Sequence, residues 1–251
     1  MRIYPTLPLL LLNVCTALKP APYFLTRPAA INLPLKMSSS GSPSSSSSSK
    51  DDYYANIKTK WAEGYPSSGK INDTWAFYKE CGYADPQATL RSMLEPVDFT
   101  KKRILDYGCD KGEMLDFFCS GIDGVEGHGI DINDRAIKFA KQKYPTYAFQ
   151  AGDGMKIPYP DKHFDVVVLI STIKHIRYED RAAVYAELNR VANYAFIIEA
   201  DKTEQKQQEL YGWTFYNSNF GKEFEENFAR PVKVVREAGD ILGIYECKKY
   251  V

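Results

Sequence analysis

The chain has 251 residues, with 32 Lys+Arg balanced by 32 Asp+Glu. That balance removes any electrostatic reason to expect a nucleic-acid or membrane-surface partner. Five cysteines at irregular spacing (Cys15, Cys81, Cys109, Cys119, Cys247) match no zinc or disulfide framework, so no metal site is expected.

Met1-Arg2 precedes an apolar run, Leu7–Leu18, which is broken by Pro8 and Asn13 and is too short to span a bilayer comfortably. With Cys15-Thr16-Ala17 as a small-residue cleavage site, it fits a secretory signal peptide. Residues 19–50 carry Lys19, Arg27, Lys36 and Lys50 but no acid, which is the composition of an organelle transit peptide. Together the two stretches resemble the two-part leaders of plastid proteins in algae with complex plastids. A plastid is the favoured destination. The alternatives are a single leader to the secretory pathway or mitochondrion, or translation from Met37 with no leader. The serine run Ser38–Ser49 cannot bury apolar surface and is expected to be disordered. Residues 1–50 therefore read as leader and linker, and 51–251 as one domain of about 200 residues.

Residues 51–100 form an aromatic-rich helical preface, too short for a core of its own. Tyr53, Tyr54, Trp61, Tyr65, Trp75, Tyr78 and Tyr83 lie in it. Asp85-Pro86 opens a helix, with Asp as cap and Pro in the first turn, and Pro96 stops it after Glu95.

Next comes R-I-L-D-Y-G-C-D-K-G-E-M-L-D-F-F, residues 103–118. It reads as a strand ending in Asp106-Tyr107, a turn bounded by Gly108 and Gly112, then a helix with Met114, Leu115 and Phe118 at helical spacing. Strand, glycine turn and helix bring backbone N–H groups to a ligand, although an ordinary strand-to-helix turn reads the same way. A second strand, Gly127–Ile132, carries Asp131 about twenty residues past the turn, where an acid can grip a ribose hydroxyl pair. Asp134 is expected to cap the following helix, whose apolar face is Ala136, Ile137, Ala140 and Tyr144. A third strand, Tyr147–Gln150, leads into Ala151-Gly152-Asp153-Gly154-Met155. The fourth, Phe164–Ile170, is apolar at consecutive positions, as a strand buried on both faces of a parallel sheet must be. A helix over Glu179–Val191 with Ala183, Leu188 and Val191 inward precedes a fifth strand, Tyr194–Glu199. The charges Lys202, Glu204, Lys206 and Glu209 read as a solvated helix face. Val232–Arg236 and Ile241–Lys248, joined by a short turn, predict a closing antiparallel hairpin. The fold class is α/β: a three-layer α/β/α Rossmann-like sandwich on a mostly parallel seven-stranded sheet.

These residues resemble the class I S-adenosylmethionine-dependent methyltransferases, in particular the type 11 small-molecule group. The motifs span 103–199, and the closing hairpin agrees in topology. The resemblance implies that Asp106 and the backbone around Gly108 and Gly112 hold the amino-acid part of S-adenosylmethionine. It also implies that Asp131 takes the ribose hydroxyls, with Ile132 against adenine. Asp153 would accept from the adenine amino group, with the Gly154 and Met155 backbone beside the ring. Ile157–Asp165 resembles the family's L-P-F-x-D-x-x-F-D run, and Ser171–Ile176 its segment after strand four. The sequence departs from the family at Asp110, where the middle glycine is usual, and at Lys174. Asp110 either crowds the cofactor or offers a carboxylate to its ammonium or ribose.

The resemblance implies methyl transfer to a small-molecule acceptor by in-line displacement; from the balanced charge and the short apolar run, no nucleic-acid partner and no stable membrane insertion are expected. His175 is the candidate base, because an ordinary imidazole pKa suits that task; the competing reading makes it a packing residue or a cofactor neighbour. Tyr53, Tyr54 and Trp61 are expected to form a lid, and the aromatic stretch Tyr211–Phe228, with Trp213, the opposite wall. Such walls suit a flat apolar acceptor or a cationic amine. A nicotinamide-dependent oxidoreductase lacks support, since no G-x-G-x-x-G is present. A cofactor-binding relic acting as a partner protein is the alternative that Asp110 keeps open.

Overall fold

The computed structural model describes residues 49–64, 74–210 and 213–249. The leader, Tyr65 and Tyr211 lie outside these residues, as does the side chain of Trp213.

Three helices come first: α1 (Lys50–Gly64), α2 (Thr74–Glu80) and α3 (Pro86–Leu94). Asp85 caps α3 by accepting from the Ala88 N–H at 3.0 Å, with Pro86 in the first turn as expected. The alternating part follows as β1 (Arg103–Tyr107), α4 (Glu113–Cys119), β2 (Glu126–Asp131), α5 (Asp134–Lys143), β3 (Ala148–Ala151), β4 (Phe164–Ile170), α6 (Tyr178–Val191) and β5 (Ala192–Ala200). A two-stranded hairpin, β6 (Lys206–Leu210) and β7 (Trp213–Asn217), precedes α7 (Phe220–Asn227), β8 (Arg230–Glu237) and β9 (Asp240–Glu246).

The seven-stranded sheet has the order β3-β2-β1-β4-β5-β9-β8. Strands β1 to β5 are parallel, and β9 inserts antiparallel between β5 and β8. Order reverses between β1, which is followed outward by β2, and β4. At such a switch point the chains leave in opposite directions and open a crevice at the strands' carboxyl ends.

Successive residues of the central strands enter opposite cores. Leu105, Val167, Leu169 and Ile197 pack with Val184, Leu188 and Val191 of α6 and Phe220 and Phe224 of α7. Ile104, Val166, Val168 and Ile198 pack with Leu90 and Met93 of α3, Leu115 and Phe118 of α4, and Ile137 of α5. This two-sided burial is why β4 is apolar throughout Val166–Ile170.

Three local expectations are corrected. The α5 cap is Asn133, not Asp134: Asn133 is extended, and its Oδ1 accepts from the Arg135 and Ala136 N–H groups. Ala183 is exposed. The helix starts at Tyr178 and buries Asp180, Val184, Leu188 and Val191, a stripe at helical spacing that leaves position 183 outside. The charged stretch before the aromatic insert is a strand rather than a helix face. Lys206–Leu210 has no apolar period of its own, and pairing with the aromatic β7 decides its conformation.

Candidate active site

The crevice is built first by the turn after β1. Gly108 and Cys109 donate to the Ile130 carbonyl at 2.8 and 3.1 Å, which ties the turn to β2. Gly108 has φ +83, and a Cβ there would lie 2.5 Å from Thr172 Oγ1. Glycine is thus required by the segment after β4 that closes on it. Gly112, at φ +82, similarly makes room for the Phe149 ring of β3.

Asp106 is 2% exposed. One oxygen accepts from the Leu115 N–H, while Oδ2 has no hydrogen-bond partner among the described residues. Burial, then the carboxylates of Asp131 and Asp110, push its pKa up to about 8. Asp131 accepts from the Asp110 N–H at 2.9 Å on Oδ2 and from the Asn133 N–H at 2.8 Å on Oδ1. Its pKa is also raised by burial, against the pull of those two bonds. Asp153 stands exposed past the end of β3 and accepts from the Met155 N–H at 3.0 Å. Gly154 lies beneath the Tyr107 ring. The Tyr107 phenol is raised by burial, then by Asp153 and Asp131, so both acids stand near it. Ile132 is half-buried directly after β2.

The structure therefore gathers Asp106, Asp110, Asp131 and Asp153 at one edge of the sheet. A buried carboxyl with an unpartnered oxygen and a raised pKa suits a cationic ligand. The ammonium of S-adenosylmethionine is such a cation, and the acids and glycine turns fit the cofactor. Crowding by Asp110 had supported the relic reading; instead its backbone enters the left-handed region at φ +44 and braces Asp131.

The second wall comes from α1. Tyr53, Ile57 and Trp61 recur every four residues and share one face. Tyr53 donates to the His175 carbonyl at 3.2 Å, and the Trp61 ring meets the His175 ring edge-on at 5.6 Å. On the far side, Phe215 of β7 lies 5.1 Å from the same imidazole, and Tyr216 6.0 Å from Tyr53. Tyr54 turns away from this cluster and donates to Asp180 at 2.9 Å, where Arg177 also donates at 2.8 Å. At the other end of α1, Asn133 donates to the Trp61 carbonyl and Arg135 to the Ala62 carbonyl, while Lys58 pairs with Asp134 at 2.6 Å. The helix thus bridges from α6 to α5. The residues that anchor it, Asn133, Arg135 and Asp180, were not identified from sequence; only their places at helix starts beside the crevice mark them.

His175 differs from expectation. Burial, then the Lys174 charge, lower its pKa to about 3. The imidazole is neutral at physiological pH and much too weakly basic for the ordinary general-base role. His128 and His163 lie away from this cluster, near the amino ends of the strands, packed with Tyr159 and Phe164.

The sheet order, the switch-point crevice and the acids lining it have the arrangement of the class I S-adenosylmethionine-dependent methyltransferase fold. Residues 104–194 match the methyltransferase domain family. Over 134 residues the chain is 30% identical to the phthiotriol/phenolphthiotriol dimycocerosates methyltransferase of Mycobacterium tuberculosis, covering 45% of this chain and 50% of that protein. It is 29% identical over 83 residues to a fatty-acid O-methyltransferase of Mycolicibacterium smegmatis, covering 32% of this chain and 30% of that one. The chain thus spans half or less of the length of these curated relatives. Among solved structures, the PH0226 protein of Pyrococcus horikoshii superimposes with a TM-score of 0.57 at 18% identity, covering 75% of this chain and 99% of that one. No helix among the described residues is long and apolar enough to cross a membrane.

Proposed function

We propose that this protein methylates a small apolar acceptor whose nucleophile arrives already ionised, a carboxylate being the simplest case. The observation that carries the reading is the pairing of an aromatic wall (Tyr53, Trp61, Phe215, Tyr216) with a histidine too weakly basic to remove a proton. S-adenosylmethionine, when bound, would supply an electrophilic methyl on sulfur, which an acceptor oxygen already ionised could take up with no proton left to remove. The chain's own work is alignment and exclusion of water. Asp106 and Asp131 hold the cofactor, the stripe of α1 covers the reacting groups, and neutral His175 fixes the floor on which the acceptor lies. The fatty-acid and phthiotriol/phenolphthiotriol dimycocerosate acceptors named for the two mycobacterial relatives accord with an apolar site, and the low identity leaves the choice of acceptor to this chain's own walls.

The test is incubation with methyl-labelled cofactor and paired acceptors of equal chain length, a fatty acid and the corresponding alcohol. Label is expected in an ester from the acid and not in an ether from the alcohol. Equal labelling of both, or labelling of the alcohol alone, overturns the ionised-acceptor reading, and absence of cofactor binding overturns the assignment as a whole.

A further inference from the structure

Position 110 is where this cleft departs from the glycine of the family it resembles. Asp110 sits at φ +44, a conformation glycine adopts freely and side-chain-bearing residues avoid, aspartate less than most. The turn thus retains a carboxylate at a backbone position that favours its absence. Strain of that kind points to function when it lies at a ligand site. Here the site is independently marked by Asp106, whose buried Oδ2 has no partner among the described residues.

Asp110 is exposed at the mouth of the turn, with its carboxyl enclosed enough by neighbouring protein atoms to lose part of its hydration. That enclosure, then Asp131, push its carboxyl up, to about 7; Lys111 beside it pulls the other way and Glu113 of α4 adds to the rise. Asp110 also contributes to the raised pKa of Asp106. Three carboxylates on β1, the turn and β2 therefore repel one another and share one cleft. S-adenosylmethionine carries two positive charges, on sulfur and on the amino group, against one carboxylate. After methyl transfer the sulfur is neutral. An added negative charge in the cleft holds the first more tightly than the second.

We propose that Asp110 is a specificity-determining residue: with Asp106 and Asp131 it selects the cationic sulfonium cofactor over its demethylated product, S-adenosylhomocysteine. The proposal rests on the methyltransferase assignment above. Its consequence is reduced occupancy of the cleft by spent cofactor.

Calorimetric titration of the full chain with each nucleoside separately, at about pH 8 so that a carboxyl of raised pKa is ionised, tests it without any turnover. Wild type is compared with Asp110→Asn, which keeps the shape, and Asp110→Gly, which removes the backbone strain. In both variants the affinity for S-adenosylmethionine is expected to fall roughly threefold to tenfold while that for S-adenosylhomocysteine changes less than about twofold. Parallel losses for the two ligands, or an unchanged ratio, overturn the proposal and leave the methyltransferase assignment standing. Failure of wild type to bind either nucleoside removes that assignment, and the proposal with it.

Discussion

Asn133 and Trp61 are joined by a 3.3 Å hydrogen bond from the Asn133 side-chain amide to the Trp61 carbonyl. The same asparagine caps α5 with its Oδ1, and its own N–H holds Asp131. One residue therefore links the acid expected to grip the ribose, the helix behind it and the lid above.

Asn133→Ala is expected to lose the cap and the lid tie together. Loss of a cap costs about 1 kcal/mol, which for a domain of this size lowers Tm by roughly 2–4 °C. Asn133→Asp keeps the capping oxygen but not the amide donor. Its melting temperature is expected to stay near wild type while the acceptor KM rises. Equal melting losses in both variants would show that the bond to Trp61, rather than the cap, carries the stability.

Asp106 gives the cofactor-free protein an unusual pH dependence. An unperturbed aspartate loses its proton near pH 4, about the value in the unfolded chain, whereas the folded protein holds the proton up to about pH 8. Between those values the native state binds more protons than the unfolded state, so this group's contribution to stability falls as pH rises. Thermal melts of the cofactor-free protein from pH 5 to about 8.5 are expected to show that decline. Asp106→Asn is expected to flatten it and to weaken S-adenosylmethionine by about tenfold or more, since a charge-assisted bond is lost. A wild-type slope of opposite sign would mean that Asp106 is ionised and paired in solution.

Gly108→Ala is expected to destabilise the protein twice over. The positive φ costs a side-chain-bearing residue about 1–2 kcal/mol, and the new methyl meets Thr172 Oγ1 and Cγ2 at 2.5 and 2.7 Å. Thr172→Ala removes the second cost and leaves the first. In urea unfolding, the Gly108→Ala/Thr172→Ala double variant is therefore expected to be more stable than the sum of the single changes implies. Simple additivity would place the whole effect in the backbone.

What the sequence discloses and what it hides follow one physical line. β4 could be read to the residue because burial on both faces leaves Val166–Leu169 without a polar position. Asp106, Asp131 and Asp153 could be placed at one edge because each lies at or just past the carboxyl end of a strand, and parallel strands deliver those ends to the same side. Residues 206–210 were misread because their conformation is set by a partner strand, and Ala183 because the helix phase depends on where α6 begins. The pKa of His175 was out of reach for a related reason. Its environment comes from Trp61 on α1 and Phe215 on β7, both remote in the chain from His175.

That environment sets the last prediction. With its pKa lowered to about 3, His175 does not titrate between pH 5.5 and 8, where an ordinary histidine would. The pH profile of kcat/KM is therefore expected to show no limb near pH 6.5 that belongs to it. His175→Gln, which keeps a neutral polar side chain of similar reach, is expected to retain the wild-type profile. Its rate should fall by less than about tenfold, because positioning by packing is only partly lost. His175→Ala removes the ring that Trp61 and Phe215 close upon, and is expected to raise the acceptor KM more than it weakens cofactor binding. Should wild type show a limb near pH 6.5 that disappears in His175→Gln, the imidazole exchanges a proton during turnover. The ionised-acceptor reading would then give way to general-base catalysis.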